Sequence, residues 1–591
     1  MRVTRVYPLT AALAFLCVGL QAAGGAANFA PVSVEDAQRE LAGIDQFDTT
    51  AAMWVWTDKY VYQPGQTLTV RWTVKPHNDF FPYTLVAYRQ NNQTGAKTYL
   101  PGGSAEAADI FGNRLAQGFA ITRLQPVEKA VLATVTVPSE LGMHTIVVQL
   151  RDFTGTRIVK AAYFKFGVVD GEVNVSGNID TSVTWVNTKA YRLSGLVHVR
   201  NNAVLTIEPG TFVIGMPGSQ PPSAIVVTRT GRIVASGTRS RPIIMTSSQP
   251  FGQRKPGDWG GLILLGRATN NWPTGEGPIE GLPDSPDSRY GGNDDTHDCG
   301  ALRYVRIEFA GAEFQPNNEV NGITWGSCGT RTVSEYLQVS YGFDDAFEWF
   351  GGTNNAKYLV GTYSRDDYFD GQIGWRGKVQ HAVALVNRDN ANRGFEMDNN
   401  ETNHALLPLG TPKFYNVTLV GAGHLFTQSA DEGTGVAGVF LRRGAGGIYN
   451  NLLVYNWITA GIDFRDSRTL DNLDSRDLTM DGVILWDNGK SANKANTLED
   501  QVTAAALPFV SGQRGQARNV LVADPMLRRP LEYSDPDFRP RLGSPVFRAN
   551  WVQPPDDGFF DQWATWSGAV GDVNWTEEWT NFIQEEDLQV Q

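Results

Sequence analysis

The chain has 591 residues, of which 41% are hydrophobic, 11% aromatic and 19% charged, and its formal net charge is −12. That is too apolar and aromatic for a chain disordered along its length, and long enough for two or more domains. An acidic balance without a basic run excludes nucleic acid as the natural partner.

Arg2 and Arg5 precede an apolar run from Leu9 to Leu20, and small residues follow from Ala22 to Ala27. This reads as a secretory signal peptide over residues 1–27. Leu16 is too large for a lipobox before Cys17, so a lipid anchor is not expected. The run is too short to anchor permanently, and no other stretch has membrane length. The mature chain is expected to lack a transmembrane segment and to be secreted: extracellular, cell-surface or periplasmic. Cys299 and Cys328 then remain, and an even pair in an exported protein predicts one disulfide.

Residues 45–168 carry strand patterns. Leu68 to Val74 alternates apolar with polar, and similar runs are Tyr83 to Tyr88, Ala130 to Val137, His144 to Leu150 and Ala161 to Val168. Short strands separated by turn residues predict a β-sandwich. The stretch DKYVYQPGQTLTVRWTV resembles the opening of immunoglobulin-like domains on exported bacterial proteins.

After a Gly/Asp/Asn-rich linker, Val169 to Asp180, short apolar strands recur. Leu196 to Val199, Val204 to Ile207 and Thr211 to Ile214 are echoed at Ala224 to Thr228, Arg232 to Ala235 and Pro242 to Met245. Three short strands per repeat, with turn residues and no helices between, predict a right-handed parallel β-helix over residues 180–530. Two insertions, Ala268 to Gly300 and Asn399 to Pro412, should emerge as loops on its side. The fold class is thus all-β: a β-sandwich, a parallel β-helix and a C-terminal cap over residues 531–591. Trp563, Trp566, Trp575 and Trp579 are expected to plug the open C-terminal end, which would otherwise expose strand edges.

Within the β-helix two acidic clusters repeat. Asp344, Asp345 and Glu348 are matched by Asp366, Asp367 and Asp370, each 22 residues later, and a partial third copy runs from Asn392 to Glu396. In a solenoid such positions stack, roughly 4.8 Å per step. Like charges about 5 Å apart cost on the order of 3 kcal/mol at an effective dielectric near 20. Three remedies stay open: a retained proton, interleaved arginine or lysine (Arg365, Arg376, Lys378, Arg388, Arg393), or calcium held by Asp344, Glu348, Asp366 and Asp370. Trp349, Tyr368 and Trp375 are candidate sugar-stacking residues beside the ladder.

The strings LSGLVHVRNNAVLTIEPGTFVIG, GDWGGLILLG, YVRIEFAGAEF, DDAFEWFGGT and DDYFDGQIGWRGKVQ, with the closing FFDQWATWSGAVGDVNWTEEWTNF, resemble a family of exported bacterial β-helix proteins of largely unassigned function. The resemblance spans Asp180 to Phe582 and implies fold and export. Gly342 to Asp345 also resembles the paired-aspartate motif of polygalacturonase-like hydrolases, and Arg376-Gly377-Lys378 their substrate clamp. The catalytic set would then be Asp344, Asp345, Asp366, Asp367, Arg376 and Lys378, as a glycoside hydrolase or polysaccharide lyase. However, Asn321 to Thr324 stands where that motif wants Asn-Thr-Asp, and no Gly-His-Gly follows. The preferred reading is a binding or scaffold protein for glycans or cell-envelope polymers.

Overall fold

A computed structural model describes residues 51–75, 83–100, 119–121, 126–151, 158–315, 318–386, 392–423, 436–489, 496–512, 517–548 and 551–589. The expected signal peptide lies outside them. All described residues belong to one compact unit, Asp48–Gln591.

The N-terminal part is a two-sheet sandwich. One sheet pairs Ala52–Thr57, Thr67–Lys75 and Val127–Thr136 in antiparallel fashion. The other orders Val61–Tyr62, Ile158–Val168, Gly142–Arg151, Tyr83–Asn91 and Lys97–Tyr99, with Phe119–Ile121 beside Tyr83–Asn91. Alternating residues face inward, so Val55, Val70, Ile146, Val148 and Phe166 form a shared apolar core. That core continues into Ala190, Phe212, Ile214 and Ile244 on the outer face of the first β-helix turns.

From Glu172 the chain winds into one parallel ladder of 23 strands, the right-handed β-helix. Its first column stacks Ala224–Val227, Gly261–Leu265, Ile323–Gly326, Phe347–Phe350, Phe369–Gln372, Arg393–Met397, Ala437–Leu441 and Ala460–Phe464. The second and third columns begin as separate strands, Val204–Ile207 and Phe212–Gly215. From Gly300–Glu308 onward they fuse into one bent strand per turn: Val333–Ser340, Ala356–Thr362, Lys378–Leu385, Lys413–Val420 and Gly447–Tyr455.

The bend falls each time on a non-glycine residue in the left-handed region: Tyr304, Tyr336, Tyr358, His381, Asn416 and Asn451, with φ from 46 to 59°. Such a backbone costs about 1–2 kcal/mol per residue. Stacking offsets it here. Tyr304 and Tyr336 lie 4.3 Å apart, Tyr336 and Tyr358 4.3 Å, and Tyr358 and His381 4.8 Å, all with nearly parallel ring planes.

The C-terminal end is closed by residues other than those expected. Two short helices, Leu498–Gln501 and Leu507–Val510, bring Val502, Ala506, Phe509 and Val510 into the interior core. The tryptophan-rich segment instead returns along the flank: Trp579 meets Tyr304 and Tyr336, Trp575 meets Tyr358, and Trp563 and Trp566 meet His381.

The insertions Ala268 to Gly300 and Asn399 to Pro412 both leave the ends of first-column strands. They lock together where Asn271 Nδ2 donates to Asn399 Oδ1 at 2.9 Å and Asn400 Nδ2 donates to Asn271 Oδ1 at 3.1 Å. Cys299 and Cys328 form the disulfide, which ties the first insertion to the following turn.

Candidate cation and polymer site

Parallel stacking turns the repeat into three rows of side chains. Register pairs Thr324, Glu348, Asp370, Glu396, Phe440 and Asp463 in succession on the outer face of the first column. Phe347, Phe369 and Phe395, one position earlier, point inward to the core. At the corner before these strands lies a second row, Asn321, Asp345, Asp367 and Arg393. Asp345 N–H donates to Asn321 Oδ1 at 3.2 Å, and Asp367 N–H to Asp345 Oδ1 at 2.9 Å. Asn321 and Asp345 thus each satisfy a backbone N–H of the next turn, which a sharp corner leaves unpaired. The third row holds Asp344, Asp366 and Asn392, with Asn392 Nδ2 donating to Asp366 Oδ1 at 2.6 Å.

Three groups of carboxylates result, each with oxygens within 4.8 Å of one another: Asp344/Asp345/Asp366, Asp345/Glu348/Asp370 and Asp367/Asp370/Glu396. They share Asp345 and Asp370, so they form a continuous chain of acids that could hold metal ions. The third group has its own cation: Arg393 Nη1 lies 3.0 Å from Glu396 Oε2 and 3.6 Å from Asp367 Oδ2. Arg442 adds a bond at 2.7 Å to Glu396, and with Arg443 it brackets Asp398. Arg393, Arg442 and Arg465 all sit over the Phe440 ring, at 4.3, 5.4 and 5.6 Å.

The second group has no such ion pair. Among the described residues, no basic side chain comes within ion-pairing distance of Asp344, Asp345, Glu348 or Asp370. Glu348 accepts only from amides, Gln372 Nε2 at 3.0 Å and Asn321 Nδ2. Asp370 is 9% exposed and has no hydrogen-bond partner among the described residues, with its Oδ1 shielded from water.

Electrostatics follow from that geometry. Burial, then the neighbouring charges of Asp344, Asp370, Asp367 and Glu348, holds the Asp345 carboxyl well above the usual range. Burial with Asp366, Glu280 and Glu319 does the same to Asp344, and burial with Glu280 and Asp370 to Glu348. Asp367 and Asp370 are also raised, by burial and Glu396, against the opposing pull of Arg393 and Arg442 respectively. At the rim, enclosure and the charges of Glu319, Asp366 and Glu401 push the Glu280 carboxyl up to about 7, although its side chain stays in reach of water. Without an added cation these groups hold their protons to higher pH than ordinary carboxyls do.

Asp344, Asp345, Glu348, Asp366, Asp367 and Asp370 thus come together as their spacing implies. Arg376 and Lys378 do not join them. Both lie past the next corner, where Arg376 Nη2 pairs with Asp295 at 3.3 Å and Lys378 Nζ with Asp557 at 2.7 Å. Trp349, Tyr368 and Trp375 are buried in the solenoid core, Trp349 stacked 5.0 Å from Trp325 and 4.4 Å from Trp375, so no sugar can stack on them. Glu280, Glu319 and Glu401 carry no repeat signal, because irregular loops and a hairpin bring them to the ladder. Glu396, Asp398 and Arg442 were open to the same stacking argument that found Asp370.

A long parallel β-helix with one acid-lined outer face defines the class of molecule. The chain belongs to the family of pectate-lyase-like β-helix domains, whose description matches residues 177–520. No curated protein matches it. Among solved structures it is similar to a family 28 exopolygalacturonase from Yersinia enterocolitica, at 10% identity and a TM-score of 0.21, over 80% of this chain and 99% of that one. It is also similar to the catalytic domain of a GH87 alpha-1,3-glucanase in complex with tetrasaccharides, at 10% identity and a TM-score of 0.24, over 81% and 84% of the two chains. These likenesses are too slight for residues or activities to be carried over.

Proposed function

We propose that this is an exported binding and scaffold protein that holds a glycan or cell-envelope polymer along the acid-lined face, with calcium seated among the carboxylates. One observation carries the reading. Arg393 neutralises the third carboxylate group, while the second, Asp345, Glu348 and Asp370, stacked on it with the same chemistry, has no basic side chain within ion-pairing distance among the described residues. A hard cation would occupy there the position that a guanidinium fills one step on. The donors are carboxylate oxygens on two successive turns, with no histidine or cysteine among them, and an irregular all-oxygen set suits calcium better than zinc. Half-exposed Asp344 and Asp366 would present the bound ion to hydroxyls or acidic groups of a polymer.

A second reading, a polysaccharide lyase or glycoside hydrolase, is favoured by the raised carboxyls, since an acid that holds its proton more tightly than usual suits the protonation of a leaving group. It loses its clamp with Arg376 and Lys378. The test is incubation with a panel of polysaccharides, scoring both retention and new reducing or unsaturated ends. The scaffold reading expects retention with calcium, loss in chelator and no chain cleavage. Oligosaccharide release abolished by Asp366→Asn or Asp367→Asn would establish the enzyme instead.

A further inference from the structure

The segment from Trp551 to Gln589 crosses the outer face of the fused second and third columns, and within 551–584 it makes no regular secondary structure. A chain lying across a sheet face, rather than along its edge, forms no ladder with the strands; Gly568 N–H donates to Asn451 O at 2.7 Å, and other backbone groups find side chains. An amide side chain can donate to and accept from the backbone of one residue at once.

The flank supplies amides in that role. Asn451 donates to Val552 O at 2.8 Å and accepts from Val552 N–H at 2.6 Å. Gln380 accepts from Asp561 N–H at 2.7 Å and donates to Asp561 O at 3.3 Å. Gln338 accepts from Asn581 N–H at 2.8 Å and donates to its carbonyl at 2.7 Å. Asn416 donates to Trp566 O at 2.7 Å, and Thr418 Oγ1 accepts from Ala569 N–H at 2.8 Å. These side chains come from four of five successive turns and read the backbone of the segment, while its tryptophans rest against the Tyr304–His381 stack.

We propose that this flank is a binding groove for an extended polypeptide, and that residues 551–589 are its ligand, held without needing the covalent link and replaceable by the same segment supplied separately. The amides lie on solenoid strands that pair with their neighbours in the ladder, and the end of the segment also reaches the sandwich, where Ile583 and Leu588 join its core. Backbone recognition of this kind sets where a peptide lies, and the aromatic contacts set which peptide it is.

The experiment uses the full chain with a site-specific protease sequence inserted after Arg548. The protein is folded, cut, and mixed with a fluorescent peptide of residues 551–591. The proposal expects the cut fragment to co-elute with the body at micromolar concentration and to exchange with the labelled peptide. Exchange should quicken about ten-fold in Gln380→Leu and in Asn451→Leu, the scale of a lost pair of buried hydrogen bonds. Gln63→Leu, on the exposed surface of the sandwich, should leave it unchanged. Immediate loss of the fragment on cutting, or a fragment that never exchanges while the body stays folded, would overturn the proposal. Equal exchange rates in Gln380→Leu and Gln63→Leu would overturn the role of the amides.

Discussion

Arg393 and Asp370 are the two residues whose surroundings differ most across one turn. Arg393 is buried between Asp367 and Glu396, so removing it leaves two shielded acids facing each other. Arg393→Met should cost about 3–5 kcal/mol, read as a lower urea midpoint. Asp370 has no internal partner. In chelator, Asp370→Asn should therefore stabilise the fold by about 1 kcal/mol, and it should abolish any rise in melting temperature on adding calcium. The raised carboxyls also fix a pH dependence. Asp344, Asp345, Glu348, Asp367 and Asp370 have folded pKa values above their unfolded ones. The folded chain thus binds more protons than the unfolded chain once pH passes the ordinary carboxylate range near 4. Stability without calcium should fall as pH rises from about 5 to 8, and saturating calcium should flatten the slope; a thermal melt series at fixed ionic strength reads both. The acidic rows were legible because a 22-residue step must superpose them. Arg376 was misplaced for the same geometric reason: six residues beyond Asp370, the chain has already turned the next corner.

At the scale of elements, the bent strands depend on what lies outside them as much as inside. Asp561 accepts from Tyr358 Oη and Lys357 Nζ, both at 2.8 Å, and lies 3.4 Å from His381 Nε2. It therefore pins the returning segment to the aromatic stack. Asp561→Ala should cost about 2–3 kcal/mol by leaving those donors short of an acceptor, measurable by denaturant unfolding. Strand positions were readable from alternation and from the turn residues between repeats. The bend was not, since tyrosine carries no left-handed turn signal and is held there by stacking on the next turn. The tryptophans misled in the same way. Alternation marks which residues share a face, but Trp349 and Trp375 stack inside the barrel while Trp563, 57% exposed, lies outside, and their spacing alone does not separate the two.

Across the whole molecule, sandwich, solenoid and C-terminal segment meet in one buried network. Arg254 pairs with Glu585 at 2.8 Å and Glu308 at 3.4 Å, Arg306 pairs with Glu308 at 2.5 Å, and Tyr60 Oη lies 3.1 Å from Glu308. Glu585→Ala should leave Arg254 partly uncompensated and cost about 3 kcal/mol. Its melt should show whether the sandwich and the solenoid still unfold together. No spacing in the sequence announces this network, because its members are as far apart as Tyr60 and Glu585. Solenoid and insertions are readable locally; the routes by which distant segments return are not. The central claim is that the second carboxylate group takes a cation where the third has Arg393. It is tested most directly by titrating calcium into chelator-stripped protein at pH 7 in a calorimeter. Saturable binding that disappears in Asp370→Asn and persists in Gln63→Leu is the predicted result. No heat and no shift in melting temperature at millimolar calcium would contradict it.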